Sequence, residues 1–483
     1  MEQSPRTGEP VDPNSTAAII AHPPGAWLAG RRVAQELKAP IERFLHDSAS
    51  SGILLLAVAV GTLVLANSPL AHLYEAFLHY ELGFEWGEAS FREDVHFWIN
   101  EGLMTVFFLV VGLEVKREMA HGTLSSLRAA SLPCAAALGG MVVPAIVYLG
   151  FNVSGGQVHG WAVPTATDIA FAVGVLSLLG DRVPAPLRVF LLALAVVDDI
   201  GAVLVIALFY SGGISAAGVP YLVAGLAMLY AYGRLGVRPS FLSHVIPTVL
   251  LWMGLHACSL HPTLAGVVVG LAVPATPWYG ARGFLSVARR ATDRFAMLVA
   301  QGAREEDCLV PLKEIGQAQR ETVSPVVRLT DQLHLPSSFV IVPLFAFANA
   351  GVAFGELELS RDGAWLVLLG TALGLALGKP LGVGLAVWVA VRLNFTRLPP
   401  GTTPAGILVV GLLAGIGFTM SIFIAQLAFG DGHGTLAVAK LGILVGTALA
   451  AGLGLGLGRA LLRPPTTPDP VLQSVELAER TLV

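Results

Sequence analysis

Two adjacent aspartates, Asp198 and Asp199, stand inside an otherwise uncharged apolar run, Val189 to Tyr210 (VFLLALAVVDDIGAVLVIALFY). That run is long enough to cross a bilayer as a helix. One ionised carboxylate near the centre of such a helix costs roughly 2.5–3.5 kcal/mol on insertion scales. Two side by side also repel each other. A charge this expensive marks a functional site, and its chemistry is that of carboxylate oxygens, which hold either protons or hard cations. A site that accepts one or the other and opens to one side at a time exchanges them across the membrane.

Other polar residues fall at the same depth. Ala162–Ala172 (AVPTATDIAFA) carries Thr165, Thr167 and Asp168 behind Pro164. Pro164 cannot donate the helical hydrogen bond, so a break with free backbone groups is expected beside Thr167 and Asp168. Asp168 by itself could equally be a structural hydrogen-bonding residue. Gly411–Met420 (GLLAGIGFTM) has Gly411, Gly415 and Gly417, which permit a second break. Lys379 in LGKPLG adds a buried ammonium that needs a counter-ion, and it reads equally well as a purely structural partner of an aspartate. Three acids against one lysine leave a negative excess able to bind a cation. Carboxylates, the Thr167 hydroxyl and unwound carbonyls suit Na⁺ or Li⁺. Two carboxylates can release more than one proton per monovalent cation. Net charge movement is therefore predicted, with activity falling at acid pH.

The elements that must position these residues follow from the composition. Of 483 residues 54% are hydrophobic and 13% charged, about half the charge of a soluble domain. The expected fold is an all-α polytopic membrane protein. Twelve apolar segments are predicted, at about 50–67, 97–115, 129–151, 161–180, 187–210, 217–233, 241–255, 260–274, 337–355, 363–391, 403–428 and 435–460. Spans four and eleven hold the two breaks and run in opposite directions, as an inverted repeat of spans 3–5 against 10–12 requires. Lys and Arg cluster in alternate connections (Lys116, Arg117 and Arg128; Arg182 and Arg188; Arg234 and Arg238; Arg392 and Arg397), which makes both termini cytoplasmic. Residues 1–48 and 464–483 are polar tails flanking a transmembrane domain at 49–463. Tyr80–Asp94 alternates around Gly87 as an external β-hairpin. Residues 276–336, rich in both charge signs, form a cytoplasmic insert read as a solvated loop with one or two surface helices. His256 and His261 read first as packing residues, and Glu114, Lys116, Arg117 and Glu118 as a solvated helix end. The net charge of −4 suggests no nucleic-acid partner. Cys134, Cys258 and Cys308 form neither a disulfide framework nor a metal spacing.

Long strings in order along the chain resemble the bacterial NhaA-type sodium/proton antiporters: FFLVVGLEVKRE (107–118), TATDIAFAVGVLSLLG (165–180), ALAVVDDIGAVLVIALFY (193–210), HPTLAGVVVG (261–270), PLFAFANAGV (343–352), LGKPLG (377–382) and GIGFTMSIFIAQLAFG (415–430). The resemblance covers about 44–462. That family is itself a type case of inverted repeats, so the repeat reading and the resemblance share a source. The resemblance implies two interrupted helices crossing near the bilayer midplane, with Thr167 and Asp168 at the crossing. It makes Asp199 the principal ion ligand, Asp198 its companion, and Lys379 the partner of Asp198. It links His261, Glu114 and Glu118 to pH response and cytoplasmic ion entry. It also implies a homodimer through the 80–94 hairpin, residence in the bacterial inner membrane, and no cofactor beyond the transported ions. The insert is longer than in short family members. Thr330-Asp331 replaces an acid–histidine pair, although His334 persists.

The reading is thus a Na⁺ or Li⁺/H⁺ transporter, not an enzyme. A sodium-coupled solute symporter of related fold is the alternative, but the small aliphatic residues around Asp198 suggest a compact site. An intramembrane aspartyl protease lacks its Gly-x-Gly-Asp pattern here. A passive channel lacks a ring of acids.

Overall fold

The computed structural model describes residues 48–86, 89–155, 157–212, 215–235, 241–357, 363–399, 401–430 and 434–462. The predicted tails lie outside these residues, apart from Ser48. Helix α1 (Ser48–Ala66) is followed by a short α2 (Ala71–Leu78). Strands β1 (Glu81–Trp86) and β2 (Ala89–Asp94) pair antiparallel, Glu81 opposite Asp94 and Gly83 opposite Arg92. Asp94 then caps the next helix by accepting the Phe97 N–H at 2.7 Å.

Helix α3 (Val95–His121) contains a wide π-turn at Trp98–Leu103. Helix α4 (Leu127–Asn152) follows, then a broken segment made of a 3₁₀ stretch, Val158–Thr165, and α5 (Ile169–Ser177). Next come α6 (Ala185–Phe209), α7 (Val219–Leu235), α8 (Phe241–Ala257) and α9 (Leu264–Ala272). Helices α10 (Gly280–Ala300) and α11 (Glu305–Thr322) precede α12 (Pro325–Pro336), a π-turn at Ser337–Ile341, and α13 (Val342–Asn349). The chain closes with α14 (Ala364–Arg392), α15 (Pro404–Ala414), α16 (Phe418–Phe429) and α17 (Gly434–Leu461).

Among the described residues eight helices are long and apolar enough to cross a membrane, or nine if the pair α15 and α16, bent by 49°, counts as one span. The segments expected at 241–255, 260–274 and 337–355 are shorter helices. Apolar side chains face outward along α1 (Ile53, Leu56, Val60, Val64). Only 11% of the most apolar stretch around α7 is buried against protein. Apolar helices left uncovered in this way belong in lipid, and the protein is a multi-pass membrane protein.

Close helix contacts come from glycine. A Cβ on Gly382 of α14 would lie 2.1 Å from the Gly139 carbonyl of α4, and one on Gly266 of α9 would lie 2.1 Å from the Thr105 carbonyl of α3. Such small-residue seams let backbones approach in lipid. They define two groups. Helices α4, α5, α6, α14, α15, α16 and α17 pack together, while α3 packs with α9 and α12, and α8 with α7 and α9.

The charged insert carries two surface helices and a third that is partly buried. Helices α10 and α11 pack as a hairpin, tied by Arg294 and Glu314 at 3.3 Å. Helix α12 lies within 276–336 yet buries Val326, Leu329 and Leu333 against Leu109 and Leu113 of α3. The helical run leading into α13 therefore starts at Pro325 and not near 337, because the spacing 326, 329, 333 gives it an apolar face.

Candidate ion site

The first break lies where Pro164 and Asp168 meet. The 3₁₀ turn ends at Thr165, Ala166–Asp168 are extended, and α5 begins at Ile169. Asp168 is the N-cap: its Oδ1 accepts the Phe171 N–H at 3.0 Å. The second break is Gly415–Gly417, between α15 and α16. A Cβ on Gly415 would stand 2.4 Å from the Leu375 carbonyl, so the chain can pass there only without a side chain.

The two breaks cross and hold each other. The Asp168 N–H donates to the Ile416 carbonyl at 2.7 Å. The Thr167 hydroxyl lies 2.8 Å from the Ala414 carbonyl. Asp168 Oδ2 accepts from the Thr419 hydroxyl at 2.5 Å and from the Thr419 N–H at 3.2 Å. One carboxylate thus caps the N-terminal ends of both α5 and α16, where negative charge is favoured.

Lysine occupies the opposite pole. Lys379 Nζ donates to the carbonyl of Thr165, at the C-terminal end of the 3₁₀ stretch, and to Asp198 Oδ2 at 2.5 Å. The π-turn Gly374–Gly378 immediately before it, with Pro380 just after, lets the helix widen where this side chain must leave it. The Thr167 hydroxyl also reaches Asp198 Oδ2, at 2.6 Å. Its single hydrogen can serve either Asp198 or Ala414, not both at once.

Asp198 and Asp199 leave α6 in different directions, as neighbours on a helix must. Asp198 points into the crossing, is 1% exposed, and its Oδ1 is buried with no hydrogen-bond partner among the described residues. Asp199 is 4% exposed and lies within electrostatic reach of Asp198, Glu114, Asp168 and Lys379. Nearby on α6, Val196 packs with Val111 and Val115 of α3. Asp168, Asp198, Asp199, Thr167 and Lys379 are therefore brought together.

The remaining expected residues are spread out. Half-buried Glu114 lies within electrostatic reach of Asp199. Glu118 accepts the Thr123 N–H at 2.9 Å and its hydroxyl at 3.1 Å, holding the turn after α3. His261 Nε2 lies 2.6 Å from the Tyr210 carbonyl, joining the end of α6 to the α8–α9 connection. Helices α3 and α9 run parallel, Thr105 beside Gly266 and Gly112 beside Gly270, so His261 and Glu118 lie toward opposite ends. His334 is exposed on α12.

Two residues escaped the sequence reading. Thr419 completes the crossing, and its signal was a hydroxyl in the first turn after a glycine break. Glu101 accepts the Thr263 N–H at the start of α9, while its Oε2 is buried without a hydrogen-bond partner among the described residues. An acid within WINEGL, before the apolar part of α3, was visible.

A multi-pass helical protein with acids and a lysine at the crossing of two broken helices has the architecture of an ion-coupled transporter. The family described as Na⁺/H⁺ antiporter 1 matches residues 42–457, and the chain belongs to this NhaA family. It is 50% identical over 449 residues to the Na⁺/H⁺ antiporter NhaA 2 of Sorangium cellulosum, covering 93% of this chain and 96% of that one. It is 49% identical to the Na⁺/H⁺ antiporter NhaA of Bordetella petrii, with 89% and 92% covered. It is 44% identical to that of Bartonella henselae, with 88% and 94% covered.

Proposed function

We propose that this protein exchanges Na⁺ or Li⁺ for H⁺ across the bacterial inner membrane, by alternating access to the crossing of its two broken helices. The observation that carries the reading is Asp198 Oδ1, buried and without a hydrogen-bond partner among the described residues beside a lysine, with a second buried carboxylate one residue on. Family membership supports the ion pair. The fold is taken as twelve spans with inverted repeats of spans 3–5 and 10–12, both termini cytoplasmic, and the β1–β2 hairpin external and in contact with a second copy.

Asp199 is the principal ligand, because Asp168 is committed to capping two helices and Asp198 to Lys379. Thr167 and the loosened carbonyls complete the oxygen set around Asp198 and Asp199. Either a proton or a cation neutralises these carboxylates, and the two compete. The second proton belongs to the Asp198–Lys379 pair as a unit, which makes exchange electrogenic. Glu114 leads from the cytoplasmic end of α3 toward Asp199. Glu118, His261 and His334 tune the pH response at the surfaces.

The test uses everted membrane vesicles with an imposed pH gradient. Addition of Na⁺ or Li⁺ should dissipate the gradient, and Asp199→Asn should abolish that response. A gradient that survives Na⁺ between about pH 6 and 9 sinks antiport. Dissipation that needs an organic solute as well would favour a symporter.

A further inference from the structure

Beyond Thr419, α16 carries two residues on the face that touches Asp168. Phe423 lies one turn on and Gln426 two turns on, about 10 Å along the axis. Gln426 donates to Asn349 Oδ1, at the C-terminal end of α13. Asn349 also donates to Asn100 Oδ1 at 2.7 Å, and its Oδ1 lies 3.0 Å from His96 Nε2. Asn349 is 0% exposed and Asn100 9%. This polar cluster joins α16, from the group of helices that holds the crossing, to α13 and α3. Between it and Asp168, Phe423 packs on Phe108 of α3 and Phe345 of α13, with ring centroids 5.5 and 6.2 Å away. All three phenyl rings are buried to within 1%. The other end of α3 is charged, with Glu114, Lys116, Arg117 and Glu118.

We propose that Phe423 and Gln426 form the gate on the hairpin side: Phe423 seals the aspartates from that side, and the Gln426–Asn349 hydrogen bond latches the seal. The inference rests on the exchange reading, since alternating access requires α16 to part from α13 and α3 at this contact. Three rings exclude water and hydrated cations without binding them. The amides beyond can accept an ion once the rings separate. One hydrogen bond at this contact biases the closed state by a modest factor, so the latch can open on every cycle.

The test places a reporter behind the seal. Val342, 4% exposed, lies one turn from Phe345 on the same face of α13, away from Asn349. In a background with Cys134, Cys258 and Cys308 replaced by serine, Val342→Cys is challenged in intact cells with a membrane-impermeant maleimide. The parent should label slowly. Gln426→Leu, close in size but unable to latch, should label roughly five-fold faster, the population shift expected for one lost hydrogen bond. Phe423→Ala should label faster still, and Phe423→Leu provides a gentler opening if the alanine variant does not accumulate. Equal labelling of parent, Gln426→Leu and the Phe423 variants overturns the gate. Vesicle exchange by the unaltered protein reads the exchange assignment separately.

Discussion

Lys379 Nζ stands 2.5 Å from Asp198 Oδ2, with the two side chains 0% and 1% exposed. An ion pair so dry is held by what surrounds it. Thr165 offers Lys379 a second acceptor, and Thr167 offers Asp198 a second donor. Removing one partner of a buried pair leaves the other charge uncompensated, which costs about 3–5 kcal/mol. Lys379→Met should therefore lower thermal stability in detergent clearly, and the double variant Asp198→Asn/Lys379→Met should recover most of the loss. If the double variant is no more stable than the single one, the pairing does not govern the core.

Thr167 links both breaks to the acids. Thr167→Val keeps the shape and removes the hydroxyl from Asp198 and from the Ala414 carbonyl. The expected result is a rise of roughly ten-fold in the Na⁺ concentration for half-maximal exchange, as for one lost hydrogen bond to a charged group. An unchanged Na⁺ dependence removes Thr167 from the site.

The crossing has room for backbone alone at Gly415. Gly415→Ala would press a methyl to 2.4 Å from the Leu375 carbonyl, which cannot move aside as a flexible side chain could. Exchange should be lost, with about 1–3 kcal/mol of destabilisation. Gly456→Ala, where no atom of the described residues lies within 4 Å, should be silent. Similar behaviour of the two variants would argue against a tight crossing.

Acid should loosen the root of the hairpin. Partial burial works against the charge on Asp94, but the Phe97 N–H and the neighbouring His79 and His96 outweigh it and hold the carboxyl below the usual carboxylate range. A lowered folded-state value gives a stabilisation that is present above the unfolded value near 3.9 and lost as pH falls through the folded one. The protection of the Val95–Phe97 amides, taken relative to intrinsic exchange at each pH, should fall in the parent as pH drops below the usual carboxylate range. Asp94→Ala, which removes the cap, should already be poorly protected at neutral pH and respond little to acid.

Much of the site could be read from the chain because charge at membrane depth is costly and therefore rare. Asp198, Asp199, Asp168 and Lys379 stand out for that reason alone, and Pro164 and Gly415–Gly417 mark the breaks. The bond that Thr419 makes to Asp168 could not be read, because it depends on how two segments 251 residues apart cross. Asp168 as a double cap was hidden for the same reason. Surface helices were expected in the insert, but the pairing of α10 with α11 and the burial of α12 on α3 depend on tertiary packing, although Val326, Leu329 and Leu333 carry a helical period. Glu118 also holds the Thr123 turn, a local bond that residue type does not reveal.

Competition between protons and a cation for the same carboxylates is the core of the account, and proton release measures it directly. Purified protein in weakly buffered detergent solution at about pH 8 should acidify the medium when Na⁺ or Li⁺ is added, and not when choline is added. Asp199→Asn should release none. Na⁺ binding without proton release, or full release from Asp199→Asn, would contradict the claim that cation and proton share Asp199.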